Sequence, residues 1–364
     1  MLNRTNRTNR SSNVNVAIGI AMLSMRHRLV VSIVSADEAM SGVGRHVCKC
    51  SSCGGAVRHK QYVKIEAMTG HAGKGHARYI GLECFLPLTY HSSAPWINVN
   101  MDGTDNHTKK RKPHVSVEFE IVSQLYGVGE HAVRKAFGIV PLRDEDGDIV
   151  IEDGITLYTI DYNTQFDYAF MSVYCRLLFQ AYSKTKRTSH IEKDCTVSAE
   201  GHVRYRSLQG LSRFLNECTP EELKCFQDIR CGAHMHASCD YARKAWCGRA
   251  IFGKLFGMIE AMSSSERVAF FGSDFRIYAE DSIGGHGCCI NYRTSHMTIE
   301  IRLSKIQTAE QFVRCCKWWR GTIAVINENG HKIENGTWTK ERMADAIAYQ
   351  FTPEAIATYY EKGC

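Results

Sequence analysis

HVSVEFEIVS, residues 114–123, alternates apolar Val115, Val117, Phe119 and Ile121 with polar positions, the period of a strand packed on one face. Glu118 and Glu120 therefore point the same way, with no basic residue between them. Two later stretches repeat the pattern. CGAHMHAS, residues 231–238, places His234 and His236 two apart around Met235; MTIEIRLS, residues 297–304, places Glu300 and Arg302 two apart around Ile301. Any one pair alone reads as the wet face of an antiparallel sheet. Together they supply carboxylates, imidazoles and a guanidinium where a solvated face carries a mixture of Lys, Thr, Ser and Gln. Clustered acids repel unless a cation sits between them. Mg²⁺ takes carboxylate and phosphate oxygens, and arginine matches phosphate geometry. These are the parts for holding a metal–nucleotide complex and transferring a phosphoryl group.

The order VEFE, DCTVS, GAHMHAS, TIEIRL resembles the amidoligase-like proteins of the carboxylate–amine ligase superfamily, which includes glutamine synthetase and glutamate–cysteine ligase. The resemblance covers residues 114–325 by motif order. It implies an α+β fold, a curved, largely antiparallel sheet with helices on its outer face. It also implies an ATP- and Mg²⁺-dependent enzyme that joins a small-molecule or peptide carboxylate to an amine through an acyl phosphate. By motif, Glu118, Glu120 and Glu300 match the metal-binding acids, and Arg302 matches the residue that meets phosphate in the transition state. His234 and His236 match the central pair near nucleotide or metal. Asn291 and Arg293 are expected substrate or phosphate contacts. One position departs: after DCTVS the family has a glycine, one residue and a metal-binding glutamate, but Val203 stands where that glutamate is expected. Glu200 is the nearby substitute, and Asp194 is expected to support the loop.

Ahead of this region lies a Cys-x-x-Cys knuckle, Cys50 and Cys53, followed by Gly54 and Gly55. A structural Zn²⁺ needs four ligands. Cys50, Cys53 and Cys84 are candidates, with His76, His71 or Cys48 as the fourth. The expected organisation is a flexible basic tail over residues 1–36, a small Cys/His zinc-knuckle-like module over 37–99 and a polar linker over 100–113. The catalytic domain follows over 114–325, then a C-terminal helical extension over 326–364. In the catalytic region YARKAWCGRAIFGKLFGMIEAM reads as one long helix, and TPEELKCFQDI as a helix capped by Thr219 and Glu222. Trp318 and Trp319 are neighbours on a helix, so one is expected to pack and the other to be partly exposed.

The charge is uneven. Residues 1–112 hold 16 Lys and Arg against 6 Asp and Glu, a net +10, whereas the remainder holds 29 against 32, a net −3. A basic front end suits a polyanion such as nucleic acid, or a solvated tail. The second functional reading follows from this: a degenerate ligase core serving a nucleic-acid- or protein-binding module. No apolar run reaches transmembrane length. The 16 cysteines, without a convincing secretory signal, are expected to be mostly reduced and buried in a cytoplasmic protein. No cysteine has an identifiable base at fixed spacing, so a thiol enzyme is not expected.

Overall fold

The computed structural model describes residues 29–41, 60–67, 78–85, 113–129, 131–161, 163–184, 190–192, 194, 196–205, 207–277, 279–293 and 297–361. The fold mixes helices and sheets in the α+β manner, and the chain divides into two interleaved units. Met1–Ser92, Val122–Lys186 and His190–Ala199 make the first; Ser93–Ile121, Arg187–Ser189 and Glu200–Cys364 make the second. Elements are numbered in chain order.

In the first unit β1 (Leu29–Ser35), β2 (Gln61–Ala67) and β3 (Arg78–Gly81) form an antiparallel sheet in that order, accompanied by the short helices α1 (Ala36–Ser41) and α2 (Leu82–Phe85). The basic tail expected to run to residue 36 is thus corrected at its end. LVVSIVS is rich in β-branched residues, and it pairs with QYVKIEA over seven positions. The rest of that tail and the expected linker at 100–112 lie outside the described residues. The unit continues through α3 (Ala132–Ala136), the two-stranded pairs β5 (Ile139–Pro141) with β8 (Tyr158–Ile160) and β6 (Ile151–Glu152) with β7 (Ile155–Thr156), then α4 (Tyr168–Lys184) and β9 (His190–Glu192). Phe85, Phe137 and Tyr174 meet edge to face at 5.2–5.6 Å between ring centroids. The Asp167 carboxylate accepts from the Ser123 hydroxyl at 2.5 Å and the Phe170 amide at 3.0 Å, satisfying the start of α4.

The second unit is built on six strands in the order β12 (Glu280–Gly284), β13 (Cys288–Asn291), β14 (Thr298–Ile301), β11 (Ala233–Ser238), β4 (Val115–Ile121), β10 (Ala199–Tyr205). β4–β11, β11–β14 and β13–β14 are antiparallel, while β12 lies parallel to β13. The link between β12 and β13 is too short for an ordinary crossover. Its chain reversals use Gly284 and Gly287 at φ 144° and 96°.

One face of this sheet is apolar. Val117, Phe119, Met235, Ile299 and Ile301 are fully buried. Phe119 sits among the rings of Tyr205, Phe214, Phe226 and Phe312 at 5.7–6.5 Å. The helices here are α5 (Leu208–Asn216), α6 (Pro220–Lys224), α7 (Arg249–Ala261), α8 (Ser264–Phe271), α9 (Ala309–Glu334), α10 (Lys340–Tyr349) and α11 (Pro353–Glu361). α6 begins with the expected capping box of Thr219 and Glu222, with Pro220 at its first position. α9 packs on β11: the Cys316 thiol meets the Met235 sulfur at 2.9 Å, and Trp319 Nε1 donates to the Ile299 carbonyl at 3.2 Å.

Three helix expectations change. Trp318 and Trp319 are both fully buried, because α9 is covered on two sides: Trp319 faces β14, and Trp318 packs among Phe270, Phe271 and Phe351 at 5.2–5.5 Å. The long helix from Tyr241 is shorter, starting at Arg249. Residues 239–247 form successive tight turns, and the Tyr241 ring lies where Gly330 of α9 leaves room for it. Gly248, at φ −162° and ψ −146°, caps the helix. α9 also runs through residue 326 without a break, so the C-terminal extension begins inside a helix.

Phe119→Ala is expected to lower unfolding free energy by about 3–5 kcal/mol, and Phe119→Leu by about 1–2 kcal/mol. Urea denaturation read by tryptophan fluorescence checks this, since a loss below about 1 kcal/mol for the alanine variant contradicts a central role for the ring.

Candidate metal centre

The face opposite the apolar one gathers the ionisable groups. Strand parity places Glu118 and Glu120 on β4, Glu200 and His202 on β10, and His234 and His236 on β11. Glu300 sits on β14 with Arg302 just past its end. Antiparallel pairing sets His234 opposite Glu118 and His236 opposite Glu300. Cross-strand neighbours on one face are within side-chain reach.

Glu118 is the hub. Its Oε2 lies 2.8 Å from His234 Nδ1, and its Oε1 lies 3.1 Å from His236 Nε2 and 3.6 Å from His202 Nδ1. His202 Nε2 lies 2.8 Å from Glu200 Oε1. Glu300 is clamped on both oxygens: Arg302 Nη1 donates to Oε1 at 2.7 Å, and Asn291 Nδ2 donates to Oε2 at 2.9 Å. His236 Nε2 and His234 Nδ1 stand 3.6 and 3.8 Å from that Oε1. Glu120 accepts from the Gly232 amide, and its other oxygen lies 3.8 Å from His234 Nε2. Gly232 is a close-approach glycine: a Cβ there would stand 2.5 Å from His234 Nε2 and 2.8 Å from Arg276 Nη2.

Positive charge is distributed unequally over these acids. Arg302 is bonded to Glu300, and the half-buried Arg276 and the buried Lys305 both feel the charge of Glu120. Glu118 and Glu200 face imidazoles and other carboxylates instead. Burial alone would push the Glu118 carboxyl up, but His236, His234 and His202 together hold it well below the usual range. Burial pushes Glu200 up to about 7, partly offset by His202 and reinforced by repulsion from Glu118 and Glu120. Burial would lower His236, but Glu300 and Glu118 outweigh it and raise its affinity for a proton.

Two sets of donors could each hold a cation. One is Glu118, His236 and Glu300; the other is Glu118, Glu200 and His202. In each the donor atoms lie within 4.8 Å of one another. At that separation two like charges repel by about 3 kcal/mol, taking an effective dielectric of ~20. A divalent ion between the carboxylates removes that repulsion, and the donor chemistry fits one.

The fold thus brings together Glu118, Glu120, Glu200, Glu300, His234, His236 and Arg302, with Asn291 touching Glu300. Arg293 is different: its backbone amide donates to Asn291 Oδ1 at 3.0 Å, while its exposed guanidinium lies over the Tyr292 ring. Val203 is buried on the apolar face, one residue out of phase with Glu200 and His202. Asp194 accepts from the amide and hydroxyl of Thr196, tying down the loop as expected. His202 and Arg276 escaped the sequence reading. Glu200 and His202 show the same two-residue spacing as the other pairs, a usable signal. Arg276 lies in a loop without a pattern. Cys50, Cys53 and His76 of the zinc-knuckle set, with Cys48 and His71, lie outside the described residues, as does the side chain of Cys84. Among the described residues the cysteines form no disulfide, and all except Cys288 are buried. No described helix is long and apolar enough to cross a membrane.

Glu200 links the site to stability. Its folded-state pKa lies above the usual value of 4.5, so the metal-free protein binds the extra proton and gains stability below about pH 4.5. That contribution is lost as pH rises towards 7, by at most about 1.4 kcal/mol per pH unit. Metal-free protein is expected to melt at progressively lower temperature between about pH 5 and pH 7, and Glu200→Gln to flatten this slope. Equal slopes in thermal scans of both proteins contradict it. No protein-family model and no curated protein matches the chain, so the functional reading rests on these strands.

Proposed function

We propose that the protein is an ATP-dependent carboxylate–amine ligase. The observation that supports this best is the convergence of four carboxylates and three imidazoles from four adjacent strands on one buried sheet face, with Arg302 fixed beside Glu300.

In such a reaction a substrate carboxylate oxygen attacks the γ-phosphorus of ATP and ADP leaves. An amine then attacks the acyl carbon, loses a proton and expels inorganic phosphate, leaving an amide. A divalent cation, when bound, neutralises phosphate charge and orients the triphosphate. Glu118, Glu200, Glu300, His202 and His236 are the residues that would hold it. Arg302 is buried and locked by Glu300, so it would meet negative charge developing on the transferred group without moving. A charge preorganised in a water-poor site stabilises a transition state without reorganising. Asn291 holds the second oxygen of Glu300 and keeps that carboxylate oriented. Gly232, without a side chain, lets His234 and Arg276 approach the same point beside Glu120.

Calorimetry of ATP binding with and without a divalent cation tests the nucleotide site. Binding is expected to require the cation, and to weaken at least tenfold, about 1.4 kcal/mol, in Glu118→Gln and in Arg302→Ala. Amide formation is then read as ADP release when carboxylates and amines are offered in pairs. ATP binding that ignores both the cation and the two substitutions, in well-folded protein, would sink the proposal.

A further inference from the structure

We infer that the ion held by Glu118, Glu200 and His202 is a first-row transition ion, such as Mn²⁺, Fe²⁺ or Zn²⁺, bound through the His202 imidazole in preference to Mg²⁺. The inference deepens the ligase reading, but its own support is the donor set of this chain. His202 is buried, and its two ring nitrogens each face a carboxylate: Nε2 stands 2.8 Å from Glu200 Oε1, and Nδ1 stands 3.6 Å from Glu118 Oε1. A neutral imidazole carries one N–H, so it can donate to only one of them. The other nitrogen carries the lone pair that an ion would take. Whichever nitrogen takes the ion, the other is left to donate to a carboxylate, which fixes the ring and its tautomer.

The chemistry of the donors selects the ion. Mg²⁺ demands oxygen ligands in near-ideal octahedral geometry and keeps several waters. Imidazole suits the later divalent ions, whose affinity for nitrogen donors rises along the first row. Strand parity makes the choice a property of the fold. Glu200 and His202 share the site face of β10, while Val203 is buried on the apolar face, so the second donor on this strand is His202 and not a carboxylate. Glu300, clamped by Arg302, belongs to the other donor set, and Lys305 and Arg276 act on Glu120.

The test loads chelator-treated full-length protein with Co²⁺ and follows its visible absorption, without nucleotide. Wild-type protein is expected to hold Co²⁺ against a large molar excess of Mg²⁺. His202→Gln is expected to lose one ion per chain and to weaken binding at least tenfold, while His202→Glu restores an ion but lets Mg²⁺ displace Co²⁺. Thermal melting of each variant reports whether it has folded. Should the substitutions at 202 prevent folding, Mn²⁺ paramagnetic resonance on His236→Gln protein isolates the remaining site, where coupling to an imidazole nitrogen is expected. Displacement of Co²⁺ from wild-type protein by an equal concentration of Mg²⁺, unchanged Co²⁺ binding in His202→Gln, or absence of nitrogen coupling would each overturn the assignment. Because no step uses ATP, loss of the ligase reading and loss of this metal assignment show up in separate measurements.

Discussion

Carboxylate repulsion between Glu118 and Glu200, which lie among imidazoles, is the constraint that organises the second unit. Two like charges within 4.8 Å cost about 3 kcal/mol, a large part of the roughly 5–15 kcal/mol by which a domain is stable. The sheet tolerates this because its other face is packed with large apolar side chains. Phe119 lies inside a ring cluster, Met235 meets Cys316, and two adjacent tryptophans of α9 are enclosed. Strand alternation lets both conditions hold at once, since neighbouring residues on β4 belong to opposite environments.

The acids differ in how much freedom they keep. Glu300 is held on both oxygens by Arg302 and Asn291, and Glu120 by the backbone amide of Gly232. Glu118 and Glu200 contact imidazoles, whose protonation and ligation can change. The rigid acids give the site its shape, and the softer ones have partners that can gain or lose a proton. Imidazole is suited to that exchange because its ordinary pKa lies near neutrality.

The sequence made the site legible to the extent that strand periodicity did. Glu118 with Glu120, His234 with His236, and Glu300 with Arg302 are spaced by two, and the fold places all six on one face. The same rule applied to AEGHVRY picks out His202 with Glu200, whereas parity sends Val203 to the core. Arg276 could not be found this way, because loops have no period and its arrival beside Gly232 is a tertiary event. The tryptophans were misjudged for a related reason. Helical spacing tells which residues share a face, but not that a helix has neighbours on two sides. YARKAWCG has helical spacing too, and there the fit of Tyr241 against Gly330 outweighs local propensity.

Strand β4 finds its partner β11 more than a hundred residues later in the chain; the Gly232 amide that meets Glu120 is 112 positions away. Contacts so distant in sequence form slowly. Until they form, VSVEFEI is an unpaired apolar strand of the kind that adds to another copy of itself. Glu118 and Glu120 place negative charge in its middle, so two such strands repel before they can stack. Two carboxylates of the candidate metal centre are thus also placed as gatekeepers against aggregation while the chain is incomplete.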